Sequence, residues 1–109
     1  MSKSGFDLGG LFKQAQQLQE RLASVQEELG NRTVEGSAGG GMVTATINGR
    51  LEVVAVRIEP SLLENPDVAM LQDLVVAAVN AGVRSAQQMM AEEMAKVTGG
   101  LGLKLPGMP

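Results

Sequence analysis

Apolar residues recur at alternating steps of three and four along the first third of the chain, and no other feature constrains the fold as strongly. The positions are Leu8, Leu11, Ala15, Leu18, Leu22, Val25 and Leu29. This heptad seam predicts an amphipathic helix from Leu8 to Leu29, about 33 Å long, which overhangs a domain of this size. Asp7 or Ser4 is expected to cap its start, and Gly30 to end it in the left-handed conformation. Because the seam spans only about three heptads, it needs a partner surface.

Strand-like segments follow this helix at residues 32–37, 42–48 and 53–59. The second alternates apolar residues with threonines, and the third is rich in β-branched residues. The run Gly39–Gly41 predicts the first turn. Asn48-Gly49 predicts a type I′ hairpin, which needs positive φ at both central residues. Short strands joined by tight turns indicate an antiparallel meander with a helix over one face.

A second long helix is predicted from Asp67 to Val97, after the segment Asn65-Pro66-Asp67, which is typical of an N-cap and an acidic first turn. Its first half is apolar on more than one side, which predicts burial against more than one surface. Gly82 lies inside it, where glycine costs about 1 kcal/mol unless something packs closely against it. The expected fold is of the α+β class, with the element order α-β-β-β-α in two layers. A three-stranded antiparallel meander is expected to pack with a long C-terminal helix, and the N-terminal helix is expected to project. One domain is expected over 1–109, with 1–7 and 99–109 as flexible tails.

The residue types that are missing exclude most catalytic chemistry. The chain has no Cys and no His, which excludes thiol nucleophiles, zinc fingers and imidazole bases. Trp and Tyr are absent and Phe occurs twice, so aromatic platforms for base stacking are nearly excluded. The segment Gly36–Gly41 is not followed by the Lys-Ser/Thr pair of a phosphate loop. No enzyme activity, cofactor, metal or small-molecule substrate is expected, and no apolar run approaches the roughly 20 residues of a membrane span.

The charge balance limits how the chain can meet a polyanion. Nine Lys and Arg against twelve Asp and Glu give a net charge of −3, opposite in sign to a protein that holds nucleic acid by bulk charge. Contact with phosphate therefore requires clustered cations, with glutamines beside them to donate hydrogen bonds. The candidates are Lys3, Lys13, Gln17, Arg21, Arg84, Gln88 and Lys96. Lys96 also lies four residues after Glu92, with which it can simply pair.

Eight short segments of the sequence are informative when they are considered together and in their order along the chain. They are Lys13–Glu20, Val34–Gly36, Gly39–Val43, Ile47–Gly49, Ile58–Leu63, Leu71–Asn80, Glu93–Lys96 and the Leu105-Pro-Gly tail. The set resembles the YbaB/EbfC family of bacterial nucleoid-associated proteins over nearly the whole chain. The resemblance implies a homodimer with tweezer-like projecting helices that binds double-stranded DNA in the cytoplasm, organises the nucleoid and influences gene expression. The chain departs from the family at Arg84-Ser85, where two adjacent basic residues are common.

On this interpretation two protomers pair through the sheet and the second helix, and the first helices project as arms toward the DNA backbone. The expected dimer-interface residues are Leu74, Ala78, Ala81 and Gly82. Few phosphate contacts predict weak, salt-sensitive binding. The alternative is a helical protein-interaction module that docks partners through the N-terminal heptad seam without binding DNA. An apolar seam left bare would favour this alternative, because such surfaces seldom stay uncovered.

Overall fold

The computed structural model describes residues 7–100, which form two long helices and a three-stranded sheet. The elements in chain order are α1 (Leu8–Asn31), β1 (Thr33–Ala38), β2 (Val43–Asn48), β3 (Val53–Ile58), a short 3-10 helix (Pro60–Leu63) and α2 (Val68–Gly100). The strands are antiparallel in the order β1-β2-β3. This confirms the predicted α+β arrangement. Most of the two predicted tails lies outside the described residues, and nothing within residues 7–100 is a helix long and apolar enough to cross a membrane.

α2 lies across β1 and β2 and covers one face of the sheet. Side chains alternate between the two faces of a strand, so every second residue of β2 points toward the helix. These residues, Val43, Ala45 and Ile47, are fully buried. They form one core with Ala78 and Ala86 of α2. The alternation in the sequence of β2 therefore predicted the core face of the sheet.

Two glycines allow α2 to rest directly on β1. A Cβ atom on Gly36 would lie 2.6 Å from the Cα atom of Gly82 and 2.5 Å from the carbonyl oxygen of Ala78. A Cβ atom on Gly82 would lie 2.5 Å from Cγ1 of the buried Ile47. Something does pack closely against Gly82, which is why a residue that weakens a helix stands in the middle of this one.

The two hairpins differ in how well their turns were predicted. Gly39–Gly41 all have positive φ, as expected of the first turn. The prediction of a type I′ turn at Asn48-Gly49 is wrong. Asn48 instead closes a wider loop, since its amide donates to the carbonyl oxygen of Glu52 (3.0 Å) and its side-chain oxygen accepts from the amides of Arg50 and Glu52. In this second loop the positive φ, 64°, falls on Leu51.

The helix ends also differ from the sequence prediction. α1 continues through Gly30 to Asn31 and ends where Arg32 turns extended, so Gly30 is helical and not left-handed. The N-cap of α2 is Asp67 and not Asn65, because the Asp67 carboxylate accepts a hydrogen bond of 3.1 Å from the amide of Met70. α2 then runs three residues past its predicted end, through the two glycines at 99 and 100.

Candidate nucleic-acid interface

Within residues 7–100, α1 is an arm whose buried residues lie at its C-terminal end. Leu29 and Gly30 are its buried residues. The heptad seam is half-buried from Leu18 to Val25 and exposed at Leu8 and Leu11. The molecule measures 82 Å along its longest axis and 27 and 17 Å along the others. The polar and charged side chains along the arm therefore face solvent.

The loop between β2 and β3 holds the root of the arm. The Arg50 guanidinium donates to the side-chain oxygen of Asn31 and to the Glu52 carboxylate, each at 3.0 Å. The Asn48 side chain donates to Glu52 as well, at 2.7 Å. This hydrogen bond lowers the pKa of Glu52 below its ordinary value. The hydrogen bond from Arg50 and the positive charge of Arg50 lower it further.

A second set of contacts ties the start of β1 to α2. The Arg32 guanidinium and the Lys96 ammonium both donate to the Glu93 carboxylate, at 3.1 and 3.2 Å. The hydrogen bond from Lys96, followed by that from Arg32, lowers the pKa of Glu93. We call the loop contacts at Asn31 and this Arg32–Glu93 pair together the joint of the arm.

Three of the seven Lys and Arg side chains among the described residues belong to the joint and form ion pairs there. They are Arg32, Arg50 and Lys96, and each of them pairs with a carboxylate. The other four form no ion pair within residues 7–100, and all are exposed. They are Lys13, Arg21, Arg57 and Arg84. Unpaired, exposed cations are the groups that can neutralise phosphates without first breaking an internal contact.

The structure separates the predicted phosphate-binding residues into two groups. Lys13, Gln17 and Arg21 lie at steps of four along the exposed part of the arm, about 12 Å from first to last. On α2, Arg84 is exposed, but Gln88 donates to Glu92 at 3.1 Å. Lys96 pairs with Glu93 and not with the expected Glu92. Lys3 lies outside the described residues. Their part in binding stays a prediction.

Arg57 is an exposed cation that was not among the predicted site residues. It lies on β3, and the strand register places it beside Thr44, which in turn lies beside Ser37 of β1. This row of one guanidinium and two hydroxyls crosses the face of the sheet that α2 does not cover. The sequence contained the signal for this residue. Successive residues of β3 point to opposite faces of the sheet, so Arg57 lies on the face opposite to that of Val56.

The structure also divides the predicted dimer-interface residues into two groups, one buried and one half-buried. Ala78 and Gly82 are buried in the protomer itself, against β1 and β2, and have no surface left to offer a partner. Leu74 and Ala81 are half-buried. Apart from those on α1 and Leu51 of the second loop, the exposed large apolar side chains among the described residues lie on β3, on the 3-10 helix and on the first half of α2. They are Val53, Val54, Val56, Leu63, Val68, Met70 and Val76.

Comparison with known proteins relates both the sequence and the fold to others. Residues 4–101 match the YbaB/EbfC DNA-binding family. A nucleoid-associated protein of Thermoanaerobacter pseudethanolicus is 52% identical over 104 residues, which cover 95% of this chain and 92% of that protein. One from Rhodococcus erythropolis is 45% identical over 94% of this chain and 92% of that protein. The crystal structure of an uncharacterized protein from Helicobacter pylori has the same fold, with a TM-score of 0.68 at 24% identity, over 84% of this chain and 97% of that one.

Proposed function

The chain belongs to the YbaB/EbfC DNA-binding family, and from this premise we propose that it binds double-stranded DNA as a homodimer through the cations of its α1 arms. In this role it organises the bacterial nucleoid and influences gene expression. The observation that carries the proposal is the state of Lys13 and Arg21. Both are exposed on a helix that projects from the body, and neither forms an ion pair within residues 7–100.

The arm has the chemistry for contacts with the DNA backbone. Lys13 and Arg21 provide charge-assisted donors, and Gln17 between them provides a neutral one. The body has a surplus of carboxylates, since residues 32–100 contain eight Asp and Glu against five Lys and Arg. DNA is therefore attracted to the outer part of the arm, where residues 8–19 carry Lys13 and no carboxylate, and repelled by the body, which favours few phosphate contacts and dependence on salt.

The homodimer rests on surfaces that the single protomer leaves uncovered. β3 is an edge strand, so one row of its backbone donors and acceptors has no partner in the sheet. Its three valines are exposed, and so are Val68 and Val76 of α2. Apolar exposure of this extent on a sheet edge and an adjoining helix is typical of an interface. Pairing through β3 and α2 brings two arms to one particle and doubles the cations that one DNA segment meets.

Fluorescence anisotropy of a labelled duplex, titrated at several salt concentrations, tests the proposal. We expect log K to fall linearly with log salt, and Lys13→Gln to make the slope shallower by about 1 for each arm that is engaged. Lys96→Gln is the matched control, because this lysine is held by Glu93 in the protein. An equal loss of slope in the control would mean that the binding surface is not confined to the arm, and an unchanged slope for Lys13→Gln would place it away from the arm.

The second candidate function is a protein-interaction module that docks partners on the heptad seam. The exposure of Leu8 and Leu11 favours it, because no part of residues 7–100 covers these seam residues. The same titration separates the two functions. Failure to bind any duplex at the lowest salt concentration would leave the seam as the functional surface.

A further inference from the structure

One face of the arm brings together an aromatic ring, a cation, an amide and a glycine. The residues are Gly9, Phe12, Lys13 and Gln16, at positions i, i+3, i+4 and i+7 of α1, which places them on the same side of the helix. All four are exposed, and Phe12, at 70%, is the most exposed large apolar residue that the structure describes. We call these four residues the wedge face.

The fold gives no reason for two of these residues. Phe12 lies beside the heptad seam and not on it, and it packs against no part of the core. Gly9 is equally unexplained, since a Cβ atom there would make only an ordinary contact, 3.6 Å from a carboxylate oxygen of Asp7. An exposed ring next to a glycine that packing does not require suggests that the arm backbone approaches a ligand closely at this point.

The charges on the arm indicate which ligand. Residues 8–19 contain one charged side chain, Lys13, and no carboxylate. The acidic residues of α1 begin at Glu20 and lie toward the root. Asp7 precedes the helix, but its carboxylate lies over Gly10, where a Cβ atom would be 2.6 Å from Oδ2, and it forms no ion pair with Lys13. The wedge face is thus the part of the arm best suited to a polyanion.

We propose that the wedge face enters the minor groove of duplex DNA and that the Phe12 ring inserts between two base pairs and kinks the duplex. Lys13 then lies at the flanking phosphates, and Gln16 at the base edges. Proteins that bend DNA from the minor groove combine the same parts, an apolar wedge with Lys and Gln side chains around it. The inference rests on the proposed DNA binding and adds to it a mode of insertion and a bend.

A second copy of the chain is the competing occupant of this surface. Seam-to-seam pairing of two arms would cover Leu8 and Leu11, which follow the heptad spacing. Such pairing does not require an aromatic residue outside the seam, nor a bare glycine on the same side as that ring. The observations therefore favour DNA, and self-association is kept as an outcome of the test.

Two duplex probes test the insertion directly. One carries 2-aminopurine, whose fluorescence rises when its base is unstacked, and the other carries a donor and an acceptor dye at its ends. We expect the unaltered protein to raise the 2-aminopurine signal and to shorten the end-to-end distance. Phe12→Ala should lose both responses and weaken binding by about tenfold, with the salt slope unchanged, since the contacts that the bend permits outweigh the cost of unstacking.

Two further variants control for other causes. Phe12→Leu should retain most of the bend, because leucine also serves as a wedge. Leu11→Ala removes a neighbouring apolar side chain, 48% exposed, from a different side of the same turn and should leave the bend intact. Thermal unfolding of Phe12→Ala should match that of the unaltered protein, because the ring is outside the core.

Each remaining outcome decides between the proposals. Failure to bind DNA at low salt would reject the proposed function itself. Binding without unstacking and without a shorter end-to-end distance, or a Phe12→Ala variant that bends DNA normally, would reject the wedge and leave DNA binding in place. If Phe12→Ala dissociated a higher oligomer in sedimentation and left the bend unchanged, a second copy would be the occupant and the inference would be overturned.

Discussion

Gly36 of β1 and Gly82 of α2 lie backbone against backbone, so that a methyl group on Gly36 would stand 2.6 Å from the Cα atom of Gly82. The neighbours on both sides are peptide atoms or the fully buried Ile47, and none is the free end of a flexible side chain. The distance between helix and sheet is therefore fixed by the absence of two side chains.

Gly82→Ala should destabilise the protein by about 2–3 kcal/mol, although alanine is the better helix former by about 1 kcal/mol. The added methyl group would overlap Cγ1 of Ile47, which has no room to move. Urea unfolding measures the change. Gly99→Ala in the same helix is the control, because a Cβ atom there meets nothing within 4 Å, and it should be neutral or slightly stabilising. Equal midpoints for the two variants would contradict the close packing.

Leu51→Asn should stabilise the protein by about 0.5–1 kcal/mol, because asparagine tolerates the left-handed conformation better than leucine does. Leu51 has a φ of 64° and an exposed side chain, so little burial is lost. The comparison variant is Leu63→Asn, which changes an exposed leucine whose φ is negative. Thermal unfolding should rank the Leu51 variant above it, and the reverse order would argue against strain in this loop.

Stability should decrease at acid pH in part through Glu93. Its pKa is lowered in the folded protein by the hydrogen bonds from Lys96 and Arg32. The contribution of this carboxylate is therefore present above the ordinary carboxyl pKa and is lost as the pH falls through the lowered folded-state pKa. Urea unfolding at pH 7 and at about pH 3 should show less pH dependence for Glu93→Gln. The same dependence in both proteins would mean that the Arg32–Glu93 contact does not stabilise the joint.

Val56→Lys should convert the proposed homodimer to a folded monomer. A charge on the exposed side of edge strand β3 disfavours pairing with another strand, and the position lies outside the buried core. Sedimentation velocity gives the oligomeric state, and circular dichroism reports on the fold. Thr33→Lys, on the opposite edge of the same sheet, is the matched control and should leave the dimer intact. A dimer that survives Val56→Lys would move the interface away from β3.

Patterns that repeat along the chain made the fold predictable. The spacing of three and four gave α1, the alternation in β2 gave the core face, and the glycines at 39–41 gave the first turn. These patterns work because each of them reflects burial on one side of a single element. The exposure of Lys13 and Arg21 was similarly accessible, since both residues face away from the seam.

Features that depend on two distant elements were not accessible in the same way. Glu93 accepts from Arg32, 61 residues away, and also from Lys96, which was expected to pair with Glu92. The second loop widens because the Asn48 side chain satisfies two backbone amides, which a dipeptide rule for tight turns does not include. From the sequence of α2 alone, Ala78 and Gly82 were assigned to the dimer interface. The close approach of Gly36 to them depends on β1 and could not be predicted from α2.

Because α1 is long and its joint is narrow, a small rotation at the joint becomes a large displacement at the tip of the helix. Its 24 residues extend about 36 Å from a pivot held by a few side-chain hydrogen bonds, so a rotation of about 10° at the pivot moves the tip by about 6 Å. That displacement is close to two base-pair steps along a duplex. In the proposed homodimer, small adjustments at Asn31 and Arg32 would thus set the gap between the two arms, and with it the length of DNA that the pair would span.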